Sequence, residues 1–190
     1  WYVMDGMDGS GKSTAARLLK AELESQGRKV LIMAHPNRGT RLGRAELAFL
    51  RKEGKAAMIA STTLYVVDVL RSIRHMRGRA ARGYDDVIFV RYIMAVAYLP
   101  DRLSGLAYRV IAGVLPMPDV AVLVDVDPET AMGRIDSRGE DLEMFETVEK
   151  LSEVRRRMLD LSDGWVVLLN DDTEGGLREQ LLSNVWGKGL

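Results

Sequence analysis

A chain of 190 residues, 47% hydrophobic and 28% charged, carries enough apolar side chain for one buried core, which excludes extended disorder and fibrous repeats. Its 27 Lys and Arg balance 27 Asp and Glu, so bulk charge argues against nucleic acid as a partner. Zero cysteines and only two histidines, His35 and His75, remove disulfides, thiolate nucleophiles and Cys-based metal sites and leave little for a His-based one.

Five short apolar runs punctuate the chain, at 1–5, 29–34, 86–91, 119–126 and 165–169. Helical patterning is expected between and after them, at 12–26, 40–53, 57–80, 92–113, 128–136, 144–162 and 174–186. Strands alternating with helices predict βαβ units, and strands that are apolar on both faces predict a parallel sheet covered on both sides. Asp127-Pro128-Glu129 reads as a helix start: a capping carboxylate, a proline at the first helical position and an acid in the first turn. No linker, repeat, signal peptide or membrane-spanning run interrupts this pattern, so residues 1–190 read as a single cytoplasmic domain with no membrane association.

Gly6-Met7-Asp8-Gly9-Ser10-Gly11-Lys12-Ser13-Thr14 fits GxxxxGK[ST] between an apolar strand and an amphipathic helix, the signature of a P-loop. Gly6, Gly9 and Gly11 let the backbone wrap so that the N–H groups of Ser10 and its neighbours converge on a phosphate at the positive end of a helix. Lys12 supplies a point charge for the β- and γ-phosphates, and the Ser13 hydroxyl is placed to ligate Mg²⁺, with Thr14 beside it. The pattern points to ATP and Mg²⁺. The chain lacks the N-K-x-D of guanine binders and the LSGGQ run of transporter ATPases, and its small size favours a kinase. The fold expected is therefore a three-layer α/β P-loop NTPase with a five-stranded parallel sheet flanked by helices.

The loop with its preceding acid, Asp5 to Thr14, resembles the thymidylate kinase family. A second block, Pro118-Asp119 through Leu123-Val124-Asp125-Val126-Asp127-Pro128-Glu129-Thr130-Ala131 and on to Arg134 and Arg138, is similar to that family's P-D-x-x-x-x-L-D-V-x-P-E-x-A-x-x-R stretch. Arg91-Tyr92 with Ala97-Tyr98 resembles its D-R-Y…A-Y-Q segment. The resemblance implies γ-phosphoryl transfer from ATP to a small-molecule nucleotide acceptor, a nucleoside monophosphate such as dTMP, often by a homodimer. It places Asp8 near the acceptor sugar and phosphates, Arg91 on the acceptor phosphate, and Arg134 and Arg138 in a short lid at about 134–144 that closes over ATP. Lys12, Arg91 and Arg138 are then the catalytic cations. Tyr65 and Tyr98 join the acceptor site, with His35 and Arg38 at the mouth of the second strand.

Several positions depart from the family. Val90 stands where D-R-Y has its aspartate, and Asp5 or Asp125, each at a strand's carboxyl end, is the expected substitute for ordering the Mg²⁺ water shell. The acceptor loop reads Ala34-His35-Pro36-Asn37-Arg38 in place of R-E-P. After Arg91-Tyr92 a serine-rich run and glutamine become Ile93-Met94-Ala95-Val96-Ala97-Tyr98-Leu99-Pro100, and Tyr65 leads to Asp68-Val69 where the family has Asp-Arg. These changes leave open a nucleoside or non-nucleotide acceptor, and Val90 leaves open a nucleotide-binding pseudo-kinase. Residues 35–82 carry +8 and residues 119–163 carry −7. The first stretch reads mainly as solvated helix faces, with Arg38, Arg41 and Arg71 best placed for an anionic acceptor. Arg155-Arg156-Arg157 is expected to pair on the surface with Glu149, Glu153 or Asp160.

Overall fold

The structure is a computed structural model that describes residues 1–37, 39–50, 55–78, 82–137, 147–170 and 174–185. Five strands, β1 (Tyr2–Asp5), β2 (Val30–Ala34), β3 (Asp86–Val90), β4 (Val120–Asp125) and β5 (Val166–Leu169), form one sheet in the order β2-β3-β1-β4-β5. Every neighbouring pair is parallel. Because β1 sits in the middle, with the chain running to β2 on one side and later to β4 on the other, the crevice at its carboxyl end is the place where such sheets bind ligands.

Helices α1 (Lys12–Ser25), α2 (Arg41–Leu50), α3 (Lys55–Arg77), α4 (Asp101–Val114), α5 (Pro128–Asp136), α6 (Val148–Asp160) and α7 (Glu174–Asn184) account for the helical expectations, with one difference. The helix anticipated over 92–113 is two pieces, a 3₁₀ helix (Ile93–Tyr98) and α4. Pro100 causes the break. It forces Leu99 into extended backbone, φ −75° and ψ 156°, because a residue before proline is sterically barred from the helical region. The short 3₁₀ helix places Ile93, Met94, Val96 and Ala97 in the core, where a long α-helix would have lifted them off the sheet. The start of α5 is as the sequence implies: the Asp127 carboxylate accepts from the N–H groups of Glu129 and Thr130 at 3.0 and 3.3 Å.

Alternation along the strands sends side chains to two cores. Tyr2, Met4, Ile88, Val90, Val122 and Val124 pack on α1 and α7 through Ala15, Leu19, Leu177 and Leu181. On the other face Val3, Val87 and Phe89 meet Val69 and Ile73 of α3, while Leu123 meets Ile135 of α5 and Leu151 and Val154 of α6. Burial of these aliphatic and aromatic groups, worth about 25 cal/mol per Å², fixes the sheet and leaves its carboxyl edge free to carry polar residues.

Candidate active site

The phosphate loop follows β1 directly. Gly6, Gly9 and Gly11 have φ of +155°, +76° and +89°, and the loop is also crowded from behind. A Cβ on Gly9 would lie 2.5 Å from the Ala131 carbonyl oxygen, and one on Gly11 would lie 2.2 Å from Asn170 Nδ2. Both conformation and space therefore demand glycine. Asn170, just past β5, donates through Nδ2 to the Ser10 carbonyl at 2.7 Å. Its own carbonyl accepts from Arg134 Nη2 at 2.8 Å, and Arg134 Nη1 makes a longer contact of 3.5 Å with the Gly9 carbonyl. Arg134 thus braces the loop from α5. Ser13 is exposed where α1 begins, and the Thr14 hydroxyl accepts from Arg17 at 3.1 Å.

Three of the residues singled out from the sequence converge on the carboxylate of a fourth, Asp8. Asp8 accepts from Arg91 Nη2 and, at 2.7 Å, from the Tyr98 hydroxyl, and lies 3.5 Å from Lys12 Nζ. Burial alone would raise the Asp8 carboxyl, but the Arg91 and Lys12 cations hold it well below the usual carboxylate range. Burial pulls Lys12 down to about 8 against the opposing pull of Asp8, and Lys12 Nζ also donates to the Met7 carbonyl at 3.0 Å. Burial, with the Asp8 charge beside it, pushes the Tyr98 phenol well up, so it stays a donor.

Beside this cluster lies a cavity of about 360 Å³ between α3, the 3₁₀ helix and α4, with Asp8, Arg91 and Tyr98 at one end and Tyr65 on its wall. The Tyr65 hydroxyl donates to the Tyr92 carbonyl. His35, expected at the acceptor, lies behind Arg91 instead. It is 4% exposed, its Nδ1 is 2.9 Å from the Arg91 carbonyl and its Nε2 2.8 Å from the Ser72 hydroxyl. A carbonyl only accepts, so Nδ1 carries the hydrogen and Nε2 accepts from Ser72. Burial lowers its pKa, which keeps this neutral tautomer. Arg91 has φ +69°, a left-handed conformation unusual for a residue with a side chain, and the His35 bond holds its carbonyl in place.

The two carboxylates expected near the metal differ in their surroundings. Asp125 is gripped by Arg155, whose Nε and Nη2 each donate to one of its oxygens at 2.8 Å. That pair anchors α6 to the sheet, with each Asp125 oxygen accepting from the guanidinium, and Arg155 departs from the surface pairing expected of it. Arg156 and Arg157 do pair on the surface, with Asp160 and Glu153, and both also reach Asp101. Asp5 is fully buried. Its Oδ2 accepts from the N–H groups of Tyr92 and Met94 at 3.0 and 3.1 Å, whereas Oδ1 has no partner among the described residues. Burial raises its pKa. Val90 points away from this site into the core beneath α1. Arg38, Arg138 and most of the lid lie outside the described residues.

Two residues that hold this region together carry little signal in the sequence, Asn170 and Arg155. The first could be found only from its position one residue beyond a strand's carboxyl end; the second carries no signal, because its partner lies 30 residues away.

Comparison with known proteins bears on the family and the fold. The thymidylate kinase family model matches residues 4–177. A thymidylate kinase of Xanthomonas euvesicatoria pv. vesicatoria is 33% identical over 190 residues, covering 93% of this chain and 79% of that protein. A probable thymidylate kinase of Archaeoglobus fulgidus is 27% identical over 172 residues, covering 88% and 84%. The solved structure of a thymidylate kinase from Candida albicans shares the fold, with a TM-score of 0.71 at 20% identity over 96% of this chain and 88% of that one. Phosphate loop, convergent cations and matched length together place the chain in the thymidylate kinase family, as a nucleotide kinase.

Proposed function

We propose that this protein transfers the γ-phosphoryl group of ATP to the phosphate of a nucleoside monophosphate, with dTMP the first acceptor to test. The observation that carries the reading is the meeting of Lys12, from the phosphate loop, and Arg91, from the acceptor cavity, on the single carboxylate of Asp8. Donor and acceptor phosphates would face each other across that point, which is the alignment phosphoryl transfer needs. In the reaction an acceptor phosphate oxygen bonds to the γ-phosphorus while the bond to the β,γ-bridging oxygen breaks, leaving ADP and a nucleoside diphosphate.

The residues present fit the donor. Three glycines hold the loop in positive-φ backbone, packed so closely from behind that a Cβ at any of them would clash, and the exposed Ser13 hydroxyl at the start of α1 suits Mg²⁺. Mg²⁺ keeps several waters and leans on substrate phosphates, so one hydroxyl ligand from the protein is in keeping with it. Mg²⁺, when bound, supplies charge neutralisation at the β,γ oxygens. Lys12 binds the donor phosphates, Arg91 orients the acceptor phosphate, and Arg134, through Gly9 and Asn170, keeps the loop in register. Arg138, outside the described residues, is the further cation that the family resemblance assigns to the transfer. Among the described residues no helix is long and apolar enough to cross a membrane.

ADP release, coupled to a spectrophotometric readout and run with ATP, Mg²⁺ and each nucleoside monophosphate in turn, tests this reading. Turnover stimulated by dTMP is expected; rates no higher than the acceptor-free background with every monophosphate would reject it.

A further inference from the structure

The acceptor cavity has one polar end and an aliphatic body. Beyond Asp8, Arg91 and Tyr98, its walls are made chiefly of Val66, Val69 and Leu70 from α3, Val96 from the 3₁₀ helix, and Val110 and Ile111 from α4. The aromatic hydroxyls that border it are committed elsewhere: Tyr65 to the Tyr92 carbonyl, Tyr92 to the Pro116 carbonyl at 2.9 Å, and Tyr98 to Asp8. Among the described residues no Asn, Gln, His, Lys or Glu lines the cavity; its α3 wall also carries the hydroxyl of Thr62 and that of Ser61, which is itself partnered. The hydrogen-bonding edge of a pyrimidine presents a donor beside acceptors, and a side-chain amide, which both donates and accepts, is what answers such a pattern. A base edge buried against these aliphatic groups would lose its water without replacement. The rim, however, is open, with Val66, Leu70, Val110 and Val114 exposed by 41, 44, 57 and 78%. A base can therefore lay its ring and its 5-substituent on the aliphatic wall while its polar edge stays in water.

Resting on the reading of this site as a nucleoside monophosphate kinase, we infer that the acceptor base is selected by apolar contact and not by hydrogen bonds to its edge. The acceptor class is then pyrimidine nucleoside monophosphates with an apolar 5-substituent, including those whose edge is blocked.

The test uses the intact protein and compares kcat/KM for dTMP, N3-methyl-dTMP, dUMP and 5-ethyl-dUMP in the ADP-release assay. N3-methyl-dTMP is expected within ten-fold of dTMP, and 5-ethyl-dUMP is expected to equal or exceed it. dUMP should fall about four-fold, the worth of one buried methyl group. A loss greater than ten-fold on N3-methylation, or dUMP used as well as dTMP, overturns the inference, since a site built to hydrogen-bond an edge rejects analogues lacking it by orders of magnitude. If dTMP turns over and only the blocked analogue fails, this inference alone falls. If dTMP itself gives no turnover, the kinase reading falls and takes the inference with it.

Discussion

Asp8 holds two cations and a phenol in a space nearly closed to water, and the protonation of Lys12 follows from it. Lys12 is charged below about 8 and neutral above, and only the charged form attracts phosphate. ATP affinity should therefore weaken as pH rises past about 8, by about ten-fold per unit for a single proton; equilibrium titration with ATP from pH 7 to 9.5 measures it. His35 makes a second case. Removing its ring in His35→Ala leaves the Arg91 carbonyl without its donor and frees a left-handed backbone. The acceptor KM should rise about ten-fold, the worth of one such bond, with the ATP KM unchanged. His35→Asn, which keeps a donor near the Nδ1 position, should restore most of it. The loop glycines, Lys12 and Arg91 were legible in the sequence because phosphate chemistry restricts residue type and spacing together. The role of His35 was not, since the same histidine at the end of β2 could face the ligand or back the arginine, and only the ring's two partners decide.

At the level of elements, the five strands and the first helix were readable from apolar runs and the glycine loop, whereas the break at Pro100 needed the steric rule for the residue before proline to be set above helical periodicity. The Asp125–Arg155 pair joins α6 to the end of β4, with the carboxylate side chain 6% and the guanidinium 31% exposed. Arg155→Ala would strand a buried carboxylate and should destabilise the fold by about 2 kcal/mol or more. Arg156→Ala, one residue along, removes pairs whose members are all more than half exposed and should shift stability by less than about 1 kcal/mol. Urea midpoints of the two variants, compared side by side, check the contrast. The pairing of β4 with α6 through two side chains 30 residues apart is a tertiary fact, which is why three consecutive arginines looked alike in the sequence.

For the molecule as a whole, a net charge of zero conceals a separation that the fold makes spatial. The exposed Arg71, Arg74 and Arg77 lie on α3, the helix that also walls the acceptor cavity, and Arg41 and Arg44 lie on α2 packed beside it. An anionic acceptor approaching this side meets positive potential, so its kcat/KM should fall by about three-fold or more between about 0.05 and 0.5 M salt; initial rates at subsaturating acceptor give the slope directly. The contact between Asn170 and the phosphate loop has a consequence of another kind. A ribosome makes residues 6–14 long before the side chain that closes the back of that loop, which comes 160 positions after Ser10, beyond every strand of the sheet. Emerging chains thus carry the motif long before the loop has its back wall, which closes only once β5 has docked.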